Sequence, residues 1–249
     1  MSASTPAARA ARTLVANMRA YAAPHTMMPV MPSQFPHLDL RRYDAFRDDM
    51  ERRGYRFVAD VEIPEVSSMP GSVMAPAMLR VMSAADGTVV ASYYQVRPRL
   101  ARRLQLLLVG LLNLRWLAAP RDFAAGLRTR QCVQFHTEFD DGSALATGNA
   151  QASGAITPPP SVERHLFAWG TSTATLLDAH RRRLDAIVAS APGLRPIIVR
   201  TLGDLASMQE RQNARKAAHR AQVGLVTEAE VQRWCARFPK LAGPVYAEW

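Results

Sequence analysis

The stretch LARRLQLLLVGLLNLRWLAA, residues 100–119, is the most apolar run in the sequence and separates two segments that are typical of β-hairpins. Its leucines recur at the three- and four-residue spacing of one helical face, and further apolar residues cover most of the remaining circumference. A helix that is apolar on nearly every side is buried in protein or in lipid. We therefore predict a long apolar helix here, packed on the sheet that the two hairpins build.

The length of this run favours a core helix over a membrane-spanning helix. The segment from Leu104 to Leu114 contains two polar residues, whereas a membrane span needs about 20 apolar residues. A helix at the membrane interface is the alternative, because residues 99–130 hold seven arginines and one aspartate, a net charge of +6. The candidate residues for binding an anionic partner or membrane are Arg102, Arg103, Arg115 and Arg121.

Two pairs of alternating apolar segments predict β-hairpins on either side of this run. The turns contain Asp86-Gly87 and Asp141-Gly142, and Asp-Gly closes tight turns because glycine adopts positive φ at little steric cost. A further strand is predicted at residues 55–63. The four hairpin strands are residues 78–83, 88–96, 128–139 and 143–150.

This order of elements predicts the α+β class, with a largely antiparallel sheet made of two hairpins and a further strand. One face of the sheet is expected to be covered by the apolar helix and the other to be solvated. We also predict helices with N-caps at Asp39, at residues 171–173 and at Thr201, and a capping box at residues 227–230. The predicted divisions are a mobile N-terminal arm at 1–38, an α+β domain at 39–190 and a helical C-terminal extension at 191–249.

Composition restricts the function classes without choosing one. The chain of 249 residues has a net charge of +10, and a basic protein attracts anionic partners. Two cysteines are too few for a disulfide scaffold, which fits a reducing compartment. The strong preference for arginine over lysine is typical of a GC-rich bacterial genome. We expect a cytoplasmic protein, or one that is peripheral at the inner face of the membrane.

One predicted strand carries a row of polar side chains that are able to bind metal or transfer protons. The period of two places Cys132, His136 and Glu138 on one face, opposite Val133 and Phe135. These three residues are the candidates for a catalytic or metal site. The alternative is the solvated face of an antiparallel strand, because alternation alone produces such a row and no partner motif such as HExxH is present.

Basic residues on two predicted helices form the candidate phosphate-binding set for a nucleic-acid partner. No helix-turn-helix, zinc-finger or RNP motif accompanies them, so solvated helix faces are the simpler interpretation. Residues 170–173 precede a helix and are explained by ordinary capping, although free N–H groups there are able to bind an anion. The set consists of Arg181, Arg182, Arg211, Arg215, Lys216 and Arg220.

Catalytic and cofactor-binding motifs such as GxSxG and GxGxxG are missing from the sequence, so we expect no cofactor. The favoured hypothesis is a non-catalytic binding or regulatory protein, of an adaptor or toxin-neutralising type. Its expected partner is anionic, either an acidic protein or a membrane surface. An enzyme with its site around His136 and Glu138 is one alternative, and a nucleic-acid-binding protein is the other.

Overall fold

A computed structural model describes residues 6–67, 74–99, 129–149, 156–237, 239 and 242–249. The predicted apolar helix at 100–119 lies outside these residues, together with Arg102, Arg103, Arg115 and Arg121. The described helices are α1 (Pro6–Ala22), α2 (Leu40–Arg52), α3 (Pro64–Ser67), α4 (Thr173–Ser190), α5 (Leu202–Val223), α6 (Glu228–Arg237) and α7 (Ala242–Glu248), with a 3-10 helix at Pro32–Gln34.

Among the described residues, seven strands form one sheet, and their order in the sheet is their order in the chain. Each neighbouring pair is antiparallel except β6 and β7, which are parallel. The predicted α+β class with a mostly antiparallel sheet is confirmed, although the sheet has more strands than predicted. The strands are β1 (Met28–Pro29), β2 (Tyr55–Glu62), β3 (Met78–Ala84), β4 (Val90–Val96), β5 (Arg130–Glu138), β6 (Ala144–Gly148) and β7 (Val162–Leu166).

Both predicted hairpins are present, and both turn glycines have the expected conformation. Gly87 lies between β3 and β4, Gly142 lies between β5 and β6, and each has a φ of 81°. Val96 at the end of β4 pairs with Arg130 at the start of β5. The apolar run at 100–119 therefore connects two neighbouring antiparallel strands.

The first face of the sheet, which carries Val133, Phe135 and Thr137 of β5, is covered by α2 and α4. Both helices place apolar residues at helical spacing against this face. Together with the strand residues beneath them they form the largest core cluster of the described chain. The helix residues that are buried in it are Tyr43, Phe46 and Met50 of α2 and Leu176, Leu177 and Leu184 of α4.

The second face, which carries Cys132, His136 and Glu138, is covered as well, so the prediction of a solvated face is wrong. Leu205 and Met208 of α5 are buried against apolar residues of β2, β3 and β4. Farther along, α5 is rich in alanine and charged residues, which is why its sequence predicted an extension rather than a layer on the sheet. Its polar residues meet the polar residues of β5, as described below.

The two ends of the chain pack together in a third cluster. Ala11, Val15 and Met18 of α1 are buried against Val231 of α6 and Val245 of α7. The short helix α7 belongs to this cluster through Val245, and β1 pairs with β2. These contacts join residues 6–38 and 202–249 to the remainder, while the division into an arm, a domain and an extension remains a prediction.

A buried histidine fixes α4 on the first face. The Thr137 hydroxyl donates to the carbonyl oxygen of Thr88 at 2.9 Å, so its oxygen accepts the Nε2–H of His180 at 3.0 Å. His180 Nδ1 then accepts from the Thr147 hydroxyl at 3.0 Å. Burial lowers the pKa of His180 to about 3, which keeps the imidazole neutral. One side chain of α4 is thus bonded to β5 and β6.

The turn at Gly142 provides a test of the hairpin. No atom lies within 4 Å of a Cβ built on Gly142, so a substitution there acts through the backbone alone. We expect Gly142→Val to lower the free energy of unfolding by about 1–2 kcal/mol, because a β-branched residue resists positive φ. Urea unfolding measures this loss. Gly142→Asn is the control and should lose less, and equal losses in both variants would contradict the explanation.

Candidate functional site

The three residues of the predicted polar row are on one face of β5 but do not form one site. Strand residues are about 3.3 Å apart, so the Cα atoms of Cys132 and Glu138 are separated by about 20 Å. Cys132 is buried, and this burial raises the pKa of its thiol to about 12. Gln212 donates to Nε2 of His136 at 3.0 Å, and burial followed by the charge of Arg215 lowers the pKa of His136 to about 4.

Glu138 is the anchor of α5 rather than a solvated carboxylate. It is only 2% exposed, and both of its oxygens accept hydrogen bonds from arginines of α5. Arg211 Nε donates to Oε2 at 2.9 Å, and Arg215 Nη2 donates to Oε1. A buried carboxylate needs such partners because an unpaired buried charge is strongly destabilising. This ion-pair cluster explains why a helix with few apolar residues lies on the second face.

All four candidate phosphate-binding residues of α5 have partners within the chain. Arg220 is 6% exposed and forms a double ion pair with the buried Glu230. Lys216 Nζ donates to the carbonyl oxygen of Ala23 at 2.9 Å, just beyond the end of α1. Arg211 and Arg215 share Glu138, as described above.

The two remaining candidates, Arg181 and Arg182, are exposed on α4. Since α4 lies on the first face and α5 on the second, the structure does not bring the two groups of basic residues together. In the described part of the chain, the basic residues of α5 therefore stabilise the fold.

A groove of about 740 Å³ opens on the first face, between α2 and the loop before α4. We call it the α2–α4 groove. Its floor is formed by β4, β5 and the end of β6, one wall by α2, and the other wall by the loop before α4. The lining residues that matter below are Arg42, Phe46, Asp49, Tyr93, Arg130, Val133 and Trp169.

Packed aromatic rings form the floor of the α2–α4 groove. The ring of Tyr93 stacks on Phe46 at a centroid distance of 5.2 Å and meets the edge of Tyr43 at 4.7 Å. The Tyr93 hydroxyl donates to Gln131 Oε1 at 3.3 Å and accepts from Gln95 Nε2 at 3.2 Å. These contacts hold the floor in one conformation before any ligand binds.

The wall opposite α2 carries a guanidinium group on an indole ring. Arg130 Cζ lies 4.9 Å from the centroid of the Trp169 ring, which is a cation–π contact. The other charged lining residues are paired, Arg42 with Asp39 at 3.1 Å and Asp49 with Arg53 at 3.1 Å. Among the described residues, no acidic side chain pairs with the exposed Arg130.

The loop that carries Trp169 is held by local hydrogen bonds. Gly170 has a φ of 88°, and the Thr171 hydroxyl donates to the carbonyl oxygen of Ala168 at 2.9 Å. Ser172 Oγ accepts from the N–H of Thr175 at 3.1 Å, so the predicted capping of α4 is confirmed. The capping motif was visible in the sequence, whereas the groove was not, because its walls come from segments far apart in the chain.

Two kinds of feature are missing from the described residues. No three His, Cys, Asp or Glu side chains in this part of the chain lie close enough to bind one metal ion. None of the described helices has the length and apolar character that crossing a membrane requires. No family model matches the sequence, and neither a curated protein nor a solved structure matches the chain.

The loss of stability caused by a substitution of Glu138 distinguishes a buried ion-pair cluster from a solvated strand face. We expect Glu138→Gln to lower the free energy of unfolding by about 3 kcal/mol, because the amide leaves two guanidinium groups without a counter-charge. Urea unfolding monitored by circular dichroism measures the change. Glu210→Gln, at an exposed position on the same helix, is the matched control and should stay within about 0.5 kcal/mol of the unmodified protein. A similarly small loss for Glu138→Gln would contradict the burial of this cluster.

Proposed function

We propose that the protein is a non-catalytic binding protein and that its α2–α4 groove holds an anionic segment of a partner protein. The single observation that carries this proposal is the guanidinium group of Arg130. It is exposed at the groove, stacked on Trp169 and without an acidic partner among the described residues. A carboxylate of the partner supplies the missing counter-charge through a charge-assisted hydrogen bond.

The side chains that line the groove are of the types that dominate protein–protein binding. Trp, Tyr and Arg are enriched among the residues that contribute most to binding free energy, and Trp169, Tyr93 and Arg130 lie together here. The stacked floor and the bonded loop are already ordered. Ordering these side chains therefore costs little when the partner binds, and such preorganisation increases affinity.

The shape and chemistry of the groove support a peptide segment over the other hypotheses. A concave site of about 740 Å³ suits a peptide better than the flat surface of a bilayer. The described lining residues include no histidine or cysteine, which are frequent general bases and nucleophiles. The candidate phosphate-binding residues of α5 are largely engaged within the chain, which weakens the nucleic-acid alternative.

The membrane hypothesis concerns different residues from the groove. It depends on Arg102, Arg103, Arg115 and Arg121 and on the apolar run between them, all of which lie outside the described residues. It stays a prediction from the sequence. A protein that binds a peptide in the α2–α4 groove is compatible with it, because the two interactions use separate parts of the chain.

A labelled peptide tests the proposed function. The probe is a fluorescein-labelled peptide of twelve residues, rich in Asp, Glu and Leu, with a free C-terminus, and binding is measured by fluorescence anisotropy. We expect Arg130→Ala and Trp169→Ala each to raise the Kd at least about tenfold, because truncating a central interface residue commonly costs more than 1 kcal/mol.

Arg182→Ala is the matched control for the loss of one positive charge. Arg182 is exposed on the same helix that the groove adjoins, but nine residues beyond Thr173, or about 14 Å along the helix axis. We expect its Kd to change less than about twofold, as for a distant surface charge. Equal weakening in Arg182→Ala and Arg130→Ala would indicate general attraction to a basic protein and would contradict the proposal.

A further inference from the structure

We infer that the group recognised in the α2–α4 groove is a single carboxylate next to an apolar side chain, as at the C-terminal residue of a peptide. This inference rests on the proposed function and specifies which part of the partner enters the groove. The shared chemistry also occurs in a free N-acylated apolar amino acid. Three features of the groove carry the inference, namely a cation without an acidic partner among the described residues, an apolar floor, and floor hydroxyl and amide groups that are already hydrogen-bonded.

The charges of the groove favour one carboxylate over a run of acidic side chains. Arg130 is the only lining cation that has no acidic partner in the described chain, since Arg42 is paired with Asp39. Asp49 also lines the groove and contacts both Arg52 and Arg53. Because Asp49 and Arg42 are both paired, the described lining residues offer an unpaired charge to one carboxylate only.

The floor of the groove favours an apolar side chain beside that carboxylate. Phe46, Tyr93 and Val133 line the groove mainly with carbon atoms, and they are 6%, 3% and 5% exposed. An apolar group that covers this surface removes it from water, which is favourable in proportion to the area buried. An Asp or Glu side chain at the same place would bring a charged carboxylate against this carbon surface, which is unfavourable.

Several polar atoms of the floor are already hydrogen-bonded within the chain. The Tyr93 hydroxyl is bonded to Gln131 and Gln95, and Asn149 Oδ1 accepts the N–H of Val133 at 2.9 Å. A ligand that covers the Tyr93 hydroxyl and Asn149 Oδ1 with carbon therefore leaves neither atom newly unpaired, a change that would otherwise weaken binding. The guanidinium of Arg130 still offers hydrogen-bond donors to a charged group.

A terminal residue combines these two properties in the smallest space. Its α-carboxylate and its side chain are attached to the same carbon atom, so an apolar terminal residue brings a charge and an apolar group to the groove together. An internal acidic residue carries its carboxylate on the side chain and has no apolar group on the same residue. An apolar C-terminal residue therefore offers a carboxylate to Arg130 and a carbon surface to the floor at the same time, which an internal Asp or Glu does not.

Four probes separate this inference from the proposed function. They are an octapeptide without acidic side chains that ends in Phe with a free carboxylate, the same peptide with a C-terminal amide, an amidated peptide with internal Asp and Glu, and N-acetylphenylalanine as a competitor. We expect the free-acid peptide to bind at least about tenfold more tightly than its amide, as for the loss of a charged hydrogen bond. The amidated peptide with internal acids should bind no better than the plain amide.

Substitutions of the two groove arginines assign the effect to its side chain. The quantity compared is the Kd of the amide peptide divided by the Kd of the free-acid peptide. We expect this ratio to fall to about one in Arg130→Gln and to stay near its original value in Arg42→Gln. The reason is that, of these two arginines, Arg42 is paired with Asp39 and Arg130 has no acidic partner among the described residues. Both residues are exposed, so both variants should fold, which circular dichroism checks. A ratio that persists in Arg130→Gln would overturn the inference.

The pattern of binding distinguishes the two possible failures. If the amidated peptide with internal acids binds as tightly as the free-acid peptide, the proposed function stands and the inference about the terminal carboxylate is wrong. If neither anionic peptide binds more tightly than the plain amide, the proposed function fails as well. Given tight binding of the free acid, displacement by N-acetylphenylalanine supports a free small acid as the natural ligand, whereas retention of the peptide supports a protein C-terminus.

Discussion

The buried imidazole of His180 is hydrogen-bonded to two neighbouring strands and determines where α4 lies on the sheet. The α2–α4 groove depends on that position of α4. The two nitrogens of His180 are bonded to Thr137 of β5 and Thr147 of β6, so the helix is fixed in both translation and rotation. Leucines of α4 supply the favourable burial, but burial is non-directional and leaves the register of a helix free. The histidine removes that freedom, and the loop with Trp169 is held beside the sheet as a result.

A similar device holds the helix on the opposite face. Thr137 and Glu138 are consecutive residues of β5, and because strand side chains alternate, one bonds to α4 and the other to α5. The first contact uses neutral groups, and the second uses a carboxylate between two arginines. Each is favourable only while every partner is present, since an unpaired buried polar group is costly. The end of β5 is therefore the place where both helical layers are fixed relative to the sheet.

Local patterns predicted the fold better than they predicted the site. The Asp-Gly turns at Gly87 and Gly142 and the capping residues Ser172 and Thr201 act within a few residues, so the sequence shows them directly. The alternation along β5 was also correct, but the same pattern arises when the polar face meets water and when it meets a polar helix. Choosing between these cases requires knowing that α5 returns to the sheet, which no local pattern shows. The groove was missed for the same reason, because Phe46, Tyr93 and Trp169 meet only in the folded chain.

The indole N–H signal of Trp169 in a nitrogen-15 NMR spectrum tests most directly whether the α2–α4 groove is the binding site. The chain has four tryptophans, so Trp169→Phe identifies the signal by its loss. During titration with the free-acid octapeptide, the account predicts a saturable shift of the Trp169 signal while the signals of Trp234 and Trp249, which do not line the groove, stay in place. A peptide that binds and shifts Trp234 or Trp249 but not Trp169 would contradict the assignment of the groove.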